Sequence, residues 1–262
     1  MTFPQMLLLF FTAVIGGTLN AVAGGGSFFT VPTLIFTGML PVQSNTTSTV
    51  ALWPGSLAST WAYRRELVQQ EPGFLILLIG TSLIGGVLGA ILLLHTSQTT
   101  FIRLLPYLLL AATLLFAFSG SITTWLRTRN AEKVQLAERT RPSTRSLIGV
   151  SIAQLIIAIY GGYFGGGIGI LMLATLAMMG MENIHAMNGV KTLLTSCING
   201  VAVVTFIIAG AVVWPQAIVM IIGAILGGYG GAYYARKIDQ KWIRLFVMIV
   251  GFSMTLYFFI RG

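Results

Sequence analysis

Residues 73–94 run for 22 positions without one charged side chain. That is the length at which a helix crosses the hydrocarbon core of a bilayer, about 20 residues. Nine further apolar segments accompany it, at about 4–23, 28–40, 46–62, 101–125, 146–162, 166–180, 188–210, 215–235 and 242–260. Soluble domains carry about a quarter charged residues because their surfaces must face water. Here the share is 8% of 262 residues, too little for such a surface, so the outside must face lipid. These features predict an all-α integral membrane protein. The segments 28–40 and 166–180 are short for a full crossing and read as broken or re-entrant helices. No Lys or Arg precedes Arg64, so the apolar start lacks the basic region of a signal peptide and reads as a retained first span.

The formal net charge of +9 would suggest nucleic acid in a soluble protein. In this chain the cations fall in short loops between apolar runs, where they set orientation. With ten segments crossing in turn, 13 of the 15 basic residues share the face of the polar stretch 127–145, and only Arg103 and Arg261 fall opposite. The positive-inside rule makes that face cytoplasmic and puts both termini outside, in a multi-pass protein of the cell membrane. Merging each short segment into its neighbour would place the 236–244 cluster opposite the linker, against the rule. Five segments per half is therefore the better count.

An internal repeat organises the chain. Gly24-Gly25-Gly26 recurs as Gly165-Gly166-Gly167, and the run Asn45 to Thr49 has an echo in Asn188 to Thr192. Ile84-Gly85-Gly86 to Ala90 matches Leu226-Gly227-Gly228 to Ala232, and Ile102-Arg103-Leu104 returns as Ile243-Arg244-Leu245. All four matches keep offsets between 141 and 143. The chain thus divides into a first repeat (1–126), a cytoplasmic linker (127–145) and a second repeat (146–262). An odd number of crossings per unit enters the second copy from the opposite side, which predicts the inverted repeats of many secondary transporters.

Candidate binding residues follow from the two breaks and the two polar runs. Gly24, Gly25, Gly26 and Ser27 interrupt one span, and Gly165, Gly166 and Gly167 interrupt another. A helix restarting after such a break offers unpaired N–H groups and a positive dipole end, which suits an anion. Glycines in spans also serve close helix packing, so that reading stands beside the functional one. Asn45, Ser48 and Thr49 share a helical face, as do Asn188, Lys191 and Thr192. These residues read either as helix caps beside a loop or as lining for a polar path. Lys191 reads either as a counter-charge to substrate or as a headgroup anchor. Asn20, Gln154 and Asn199 read as interhelical hydrogen bonds, and the Gly85 and Gly227 sets read as packing.

All six acids (Glu66, Glu71, Glu132, Glu138, Glu182 and Asp239) fall in loops or at span ends. Cation relays usually place a carboxylate or His within the membrane. Their distribution therefore favours an anionic solute, and it leaves no nucleophile–base pair for an enzyme. His95 and His185, the only histidines, lie far apart in sequence and Cys197 is the only cysteine, so no clustered metal ligands are suggested. No cofactor and no nucleic-acid partner are expected, only a small anion and the lipid bilayer.

The run Gly16-Gly17-Thr18-Leu19-Asn20-Ala21-Val22-Ala23-Gly24-Gly25-Gly26-Ser27-Phe28, with Val31-Pro32 and the Asn45–Thr49 stretch, resembles the first half of the sulfite exporter TauE/SafE family of membrane transporters. Gly161-Gly162-Tyr163-Phe164-Gly165-Gly166-Gly167-Ile168-Gly169, with Asn188-Gly189 and Lys191-Thr192, is similar to its second repeat. The resemblance covers nearly the whole chain outside the linker. It implies transport of a sulfur-containing or organic anion such as sulfite, sulfoacetate or another sulfonate. Ile168 stands where the first repeat has Ser27, so the half-sites differ chemically. The rivals are a channel-like pore for a small polar solute and a non-transporting membrane subunit.

Overall fold

The computed structural model describes residues 1–22, 24–137, 144–179, 181, 183–234 and 240–261. Ala23, the linker residues 138–143, Glu182 and the cluster from Arg236 to Asp239 lie outside these. Eleven helices and no strands occur among the described residues. In chain order they are α1 (Phe3–Val22), α2 (Ser27–Phe36), α3 (Pro41–Ala62), α4 (Arg64–Val68), α5 (Pro72–Leu94) and α6 (Gln98–Ala137). The second half contributes α7 (Thr144–Tyr163), α8 (Ile168–Met178), α9 (Ile184–Ile208), α10 (Trp214–Tyr234) and α11 (Gln240–Arg261).

Each of the ten apolar segments is a helix, and α4 is an extra single turn in the loop that carries Arg64 and Arg65. Five helices are long and apolar enough to span a bilayer among the described residues, within α1, α5, α6, α9 and α10. Helix α3 has 22 residues, but its first half is the polar run, which keeps it off that list. Helices α2 and α8 have 10 and 11 residues. At 1.5 Å per residue that is about 15 Å, half the thickness of the hydrocarbon core.

Two helix starts differ from the sequence reading. Helix α3 begins at Pro41, whose fixed φ suits a first helical position, and α9 begins at Ile184 behind Asn183. The Asn183 side chain accepts from the His185 and Ala186 backbone N–H groups at 2.9 and 3.3 Å. Asn45 and Asn188 are therefore not caps. Each is the fifth residue of its helix, inside the bundle. The polarity that suggested a loop boundary belongs to a buried helix face instead. Helix α6 likewise continues to Ala137, well into the polar stretch that begins at Arg127.

Packing pairs the halves in a reciprocal way. Helix α1 lies against α10, and α7 lies against α5. Helix α3 also packs on α10, while α9 packs on α5. The apolar cores follow the same division. Leu9, Ala13, Leu34, Ala51, Leu52, Met220 and Ala224 form one, built from α1, α2, α3 and α10. Leu78, Ala158, Ile168, Met172, Val190 and Leu194 belong to the other, built from α5, α7, α8 and α9. Each thus combines the first three apolar helices of one half with the fourth of the other. Helices α6 and α11 pack together and close over α8 and α2.

Backbone contact makes this pairing close. A Cβ built on Gly227 would lie 2.0 Å from the Val14 carbonyl oxygen, and one on Gly89 would lie 2.1 Å from that of Ile159. Only glycine allows α10 on α1 and α5 on α7 to approach so far, as the small-residue spacing predicts. Gln154 joins the second pair by donating to Ser82 Oγ at 2.8 Å, the interhelical bond expected of it.

The solvent-facing and lipid-facing logic is reversed relative to a soluble domain. Ile76, Ile84, Leu88, Ile218, Ile222 and Leu226 are exposed on α5 and α10. Thr30, Ser44, Asn45, Thr46, Thr47, Ser48, Gln154 and Lys191 are buried. Without water, buried polar groups must pair internally, so most of these side chains serve the fold.

Candidate functional site

The two glycine breaks meet. The Gly167 N–H donates to the Gly24 carbonyl oxygen at 3.0 Å, across the interface between the halves. Both residues have a left-handed backbone, with φ of 74° at Gly24 and 80° at Gly167, a region that side chains strongly disfavour. A Cβ on Gly24 would stand 2.7 Å from the Gly169 backbone, so space as well as conformation requires glycine there. Ser27 faces the same junction, since a Cβ on Gly165 would lie 3.6 Å from Ser27 Oγ. The starts of α2 and α8 are thereby brought together at the centre of the chain's two halves.

Side chains on the preceding helices shape the breaks. Asn20 Oδ1 accepts from the Gly26 N–H at 3.0 Å, and the Tyr160 hydroxyl donates to the Gly166 carbonyl at 2.7 Å. The residue before α2, Gly26, has no side chain with which to cap the helix. From α6, Phe116 covers Gly25 and Ala112 lies against Gly167. Phe116 also meets Phe28 edge-on, with ring centroids 5.5 Å apart.

The polar faces of α3 and α9 then reach across, each to the break of the other half. Asn45 Nδ2 donates to the Tyr163 carbonyl at 2.8 Å, at the end of α7 and two residues before Gly165. Lys191 Nζ donates to the Ala21 carbonyl at 3.1 Å, near the end of α1. A cation at a helix C-terminus complements the negative end of the dipole. Lys191 is 1% exposed, and it is the only charged side chain buried among the described residues. A headgroup position does not fit that burial.

The other candidate side chains are committed differently. Ser48 Oγ and Thr30 Oγ1 share a hydrogen bond of 2.6 Å, which ties α3 to α2. Thr49 Oγ1 donates to the Asn45 carbonyl, and Thr192 Oγ1 donates to that of Gly189. Thr46 donates to the Ala211 carbonyl and Thr47 accepts from the Val213 N–H, so they hold the turn before α10. Asn45 Oδ1 and Asn188 Oδ1 are buried without a hydrogen-bond partner. The structure therefore gathers the two glycine breaks, Ser27, Asn45 and Lys191 around one junction. It gives Ser48, Thr49 and Thr192 intramolecular bonds.

Sequence reasoning did not single out Thr30, Tyr160 or the terminal carbonyls of α1 and α7. Tyr160 and Tyr163 flank the Gly161-Gly162 pair just ahead of the second break, and that position was the available signal. Backbone carbonyls leave no mark in a sequence.

A bundle of apolar helices with a buried polar junction at two facing helix breaks defines a multi-pass membrane protein of the transporter class. The chain belongs to the sulfite exporter TauE/SafE family, whose model matches residues 9–258. It is 29% identical over 252 residues to a "Probable membrane transporter protein" of Haemophilus influenzae, covering 95% of this chain and 92% of that one. Against the "Probable membrane transporter protein YfcA" of Escherichia coli K12 the identity is 29% over 262 residues, with coverages of 97% and 90%. The "Probable membrane transporter protein ORF9" of Sinorhizobium sp is 29% identical over 261 residues, with coverages of 98% and 93%. The family resemblance read from the glycine motifs is thus borne out across nearly the whole chain.

Proposed function

We propose that this membrane transporter moves a small organic or sulfur-containing anion (sulfite, sulfoacetate or another sulfonate) across the cell membrane by alternating access, without a bound cofactor. The observation that carries the reading is the junction itself. Two half-length helices start beside one another at Gly24–Ser27 and Gly165–Gly167, next to the buried ammonium of Lys191. Helix starts present N–H groups and a positive dipole end, and Lys191 adds a side chain able to carry positive charge, so negative charge is favoured there. Asn188 and Thr192 stand on the same helix as Lys191, and Asn45, Ser48 and Thr49 occupy the corresponding turns of α3.

The reciprocal packing of the halves supports alternating access. Two duplicated units of five elements, the second inverted, would interchange roles between outward-open and inward-open states of similar energy. On this reading the linker 127–145 is cytoplasmic, both termini are outside, and no chemical step is catalysed. Flux of sulfite, sulfonates and thiosulfate into proteoliposomes containing the full chain tests it. Saturable flux that shows countertransport is expected for at least one of them. No flux in folded protein would sink the reading, and non-saturating flux would favour a pore.

A further inference from the structure

One acceptor at the junction is left over once the fold has taken the bonds it needs, and a second stands at the matching position of the other half. Asn45 is 1% exposed and Asn188 is 9% exposed, and the amide oxygen of each lacks a partner. They are not two unrelated accidents, because each is the fifth residue of the third element in its half. Leaving a buried acceptor unpaired is costly, so two at matched positions call for an explanation.

The orientation of Asn45 is fixed by the fold. Its Nδ2 donates to the Tyr163 carbonyl at 2.8 Å. Turning the amide over would set oxygen against oxygen. The group left over, two residues from the second break, is therefore an acceptor, which attracts a donor hydrogen and repels an anionic oxygen. Helix starts and Lys191 provide donors on the same junction, so it carries both kinds of recognition. A simple oxyanion whose atoms are all acceptors leaves Asn45 Oδ1 as unsatisfied as it was before.

We propose that the transported anion carries a donor hydrogen of its own, a hydroxyl or an N–H group, which Asn45 Oδ1 accepts, with Asn188 Oδ1 as its counterpart in the second half. This rests on the anion reading above and narrows it. The substrate class becomes hydroxy- or amino-substituted organic anions and protonated oxyanions, in preference to fully deprotonated, acceptor-only ones. A site built around a buried acceptor rejects an analogue lacking the matching donor, because the acceptor then stays unpaired.

The test compares two monoanions of the same heavy-atom count, hydroxyethanesulfonate and propanesulfonate, on the full chain in detergent and in proteoliposomes. Binding of the hydroxylated anion is expected to be tighter by about tenfold, roughly what one net hydrogen bond contributes. The preference should collapse in Asn45→Leu, even if both affinities fall because the Tyr163 carbonyl is uncovered. Asn188→Leu provides a second variant should the first not fold. A purely structural asparagine would lower both affinities and leave their ratio unchanged.

Equal binding of the two sulfonates by the native chain overturns the proposal while leaving the anion reading intact. Tighter binding of propanesulfonate overturns it also. Binding that vanishes when choline replaces sodium, and ignores the hydroxyl, assigns the amide oxygens to a cation and overturns it too. If neither these nor sulfite nor thiosulfate binds folded protein, the anion reading fails, and the donor requirement falls with it.

Discussion

At the scale of single residues, Lys191 separates structural from functional use of the junction most sharply. Its ammonium caps the Ala21 carbonyl at 3.1 Å, so part of its role is to hold the end of α1. A hydrogen bond to a charged group contributes about 1.5–3 kcal/mol, and a buried charge in a binding site adds attraction for an anion. The two roles predict different losses. Lys191→Met is expected to lower the melting temperature of the unliganded protein and also to abolish the rise in melting temperature expected of the native chain with saturating sulfonate. A variant that melts earlier yet keeps the full ligand-induced rise would assign Lys191 to the fold alone. The position also explains why the sequence left Lys191 open. A lysine eight residues into an apolar helix can reach headgroups or turn inward, and only the facing Ala21 carbonyl decides between these. Asn45 was readable as polar and helical in spacing, but its Tyr163 partner lies 118 residues away.

At the scale of elements, the apolar runs located all ten long segments, because in lipid a helix is the way to satisfy every backbone group locally. Their ends were less legible. The start of α3 was hidden, since Pro41 to Asn45 lie ahead of the apolar run 46–62 and carry the polarity of a cap or loop. Helix α4 was missed because a single turn of charged residues has no apolar period. The pairing of α1 with α10 and α5 with α7 was legible only as small-residue spacing, without naming the partner. That pairing makes a direct prediction. Gly227→Ala would push a methyl into the Val14 carbonyl, 2.0 Å from the ideal Cβ position. Overpacking of this kind costs about 1–3 kcal/mol. Gly80, inside α5, meets nothing within 4 Å, and Ala is better than Gly in a helix by about 0.5–1 kcal/mol. Thermal unfolding in detergent should therefore show Gly227→Ala melting below the native chain and Gly80→Ala at or above it. A Gly227→Ala protein as stable as the native one would mean that α1 and α10 are not in backbone contact.

At the scale of the whole molecule, orientation follows from how charge and half-helices combine. The expected count has α1 and α2 together return the chain to the face it started from, and α7 and α8 likewise, and the faces of the later loops follow from it. Lys191 no longer counts towards the charge asymmetry, since it is buried at 1% exposure. On that count, 12 of the other 14 basic residues would share the face of the linker, with Arg103 and Arg261 opposite. That bias is ample to set orientation by the positive-inside rule. The loop between α3 and α5 should then be cytoplasmic and the loop between α5 and α6 external. In a Cys197→Ala background, Thr99→Cys is expected to react with a membrane-impermeant maleimide on intact cells. Gln69→Cys should react only after permeabilisation, and both positions are exposed, so access depends on sidedness alone. The reverse pattern would turn the molecule over. Labelling of both from outside would break the count of crossings between them, and with it the odd number per half on which the expected inverted duplication depends.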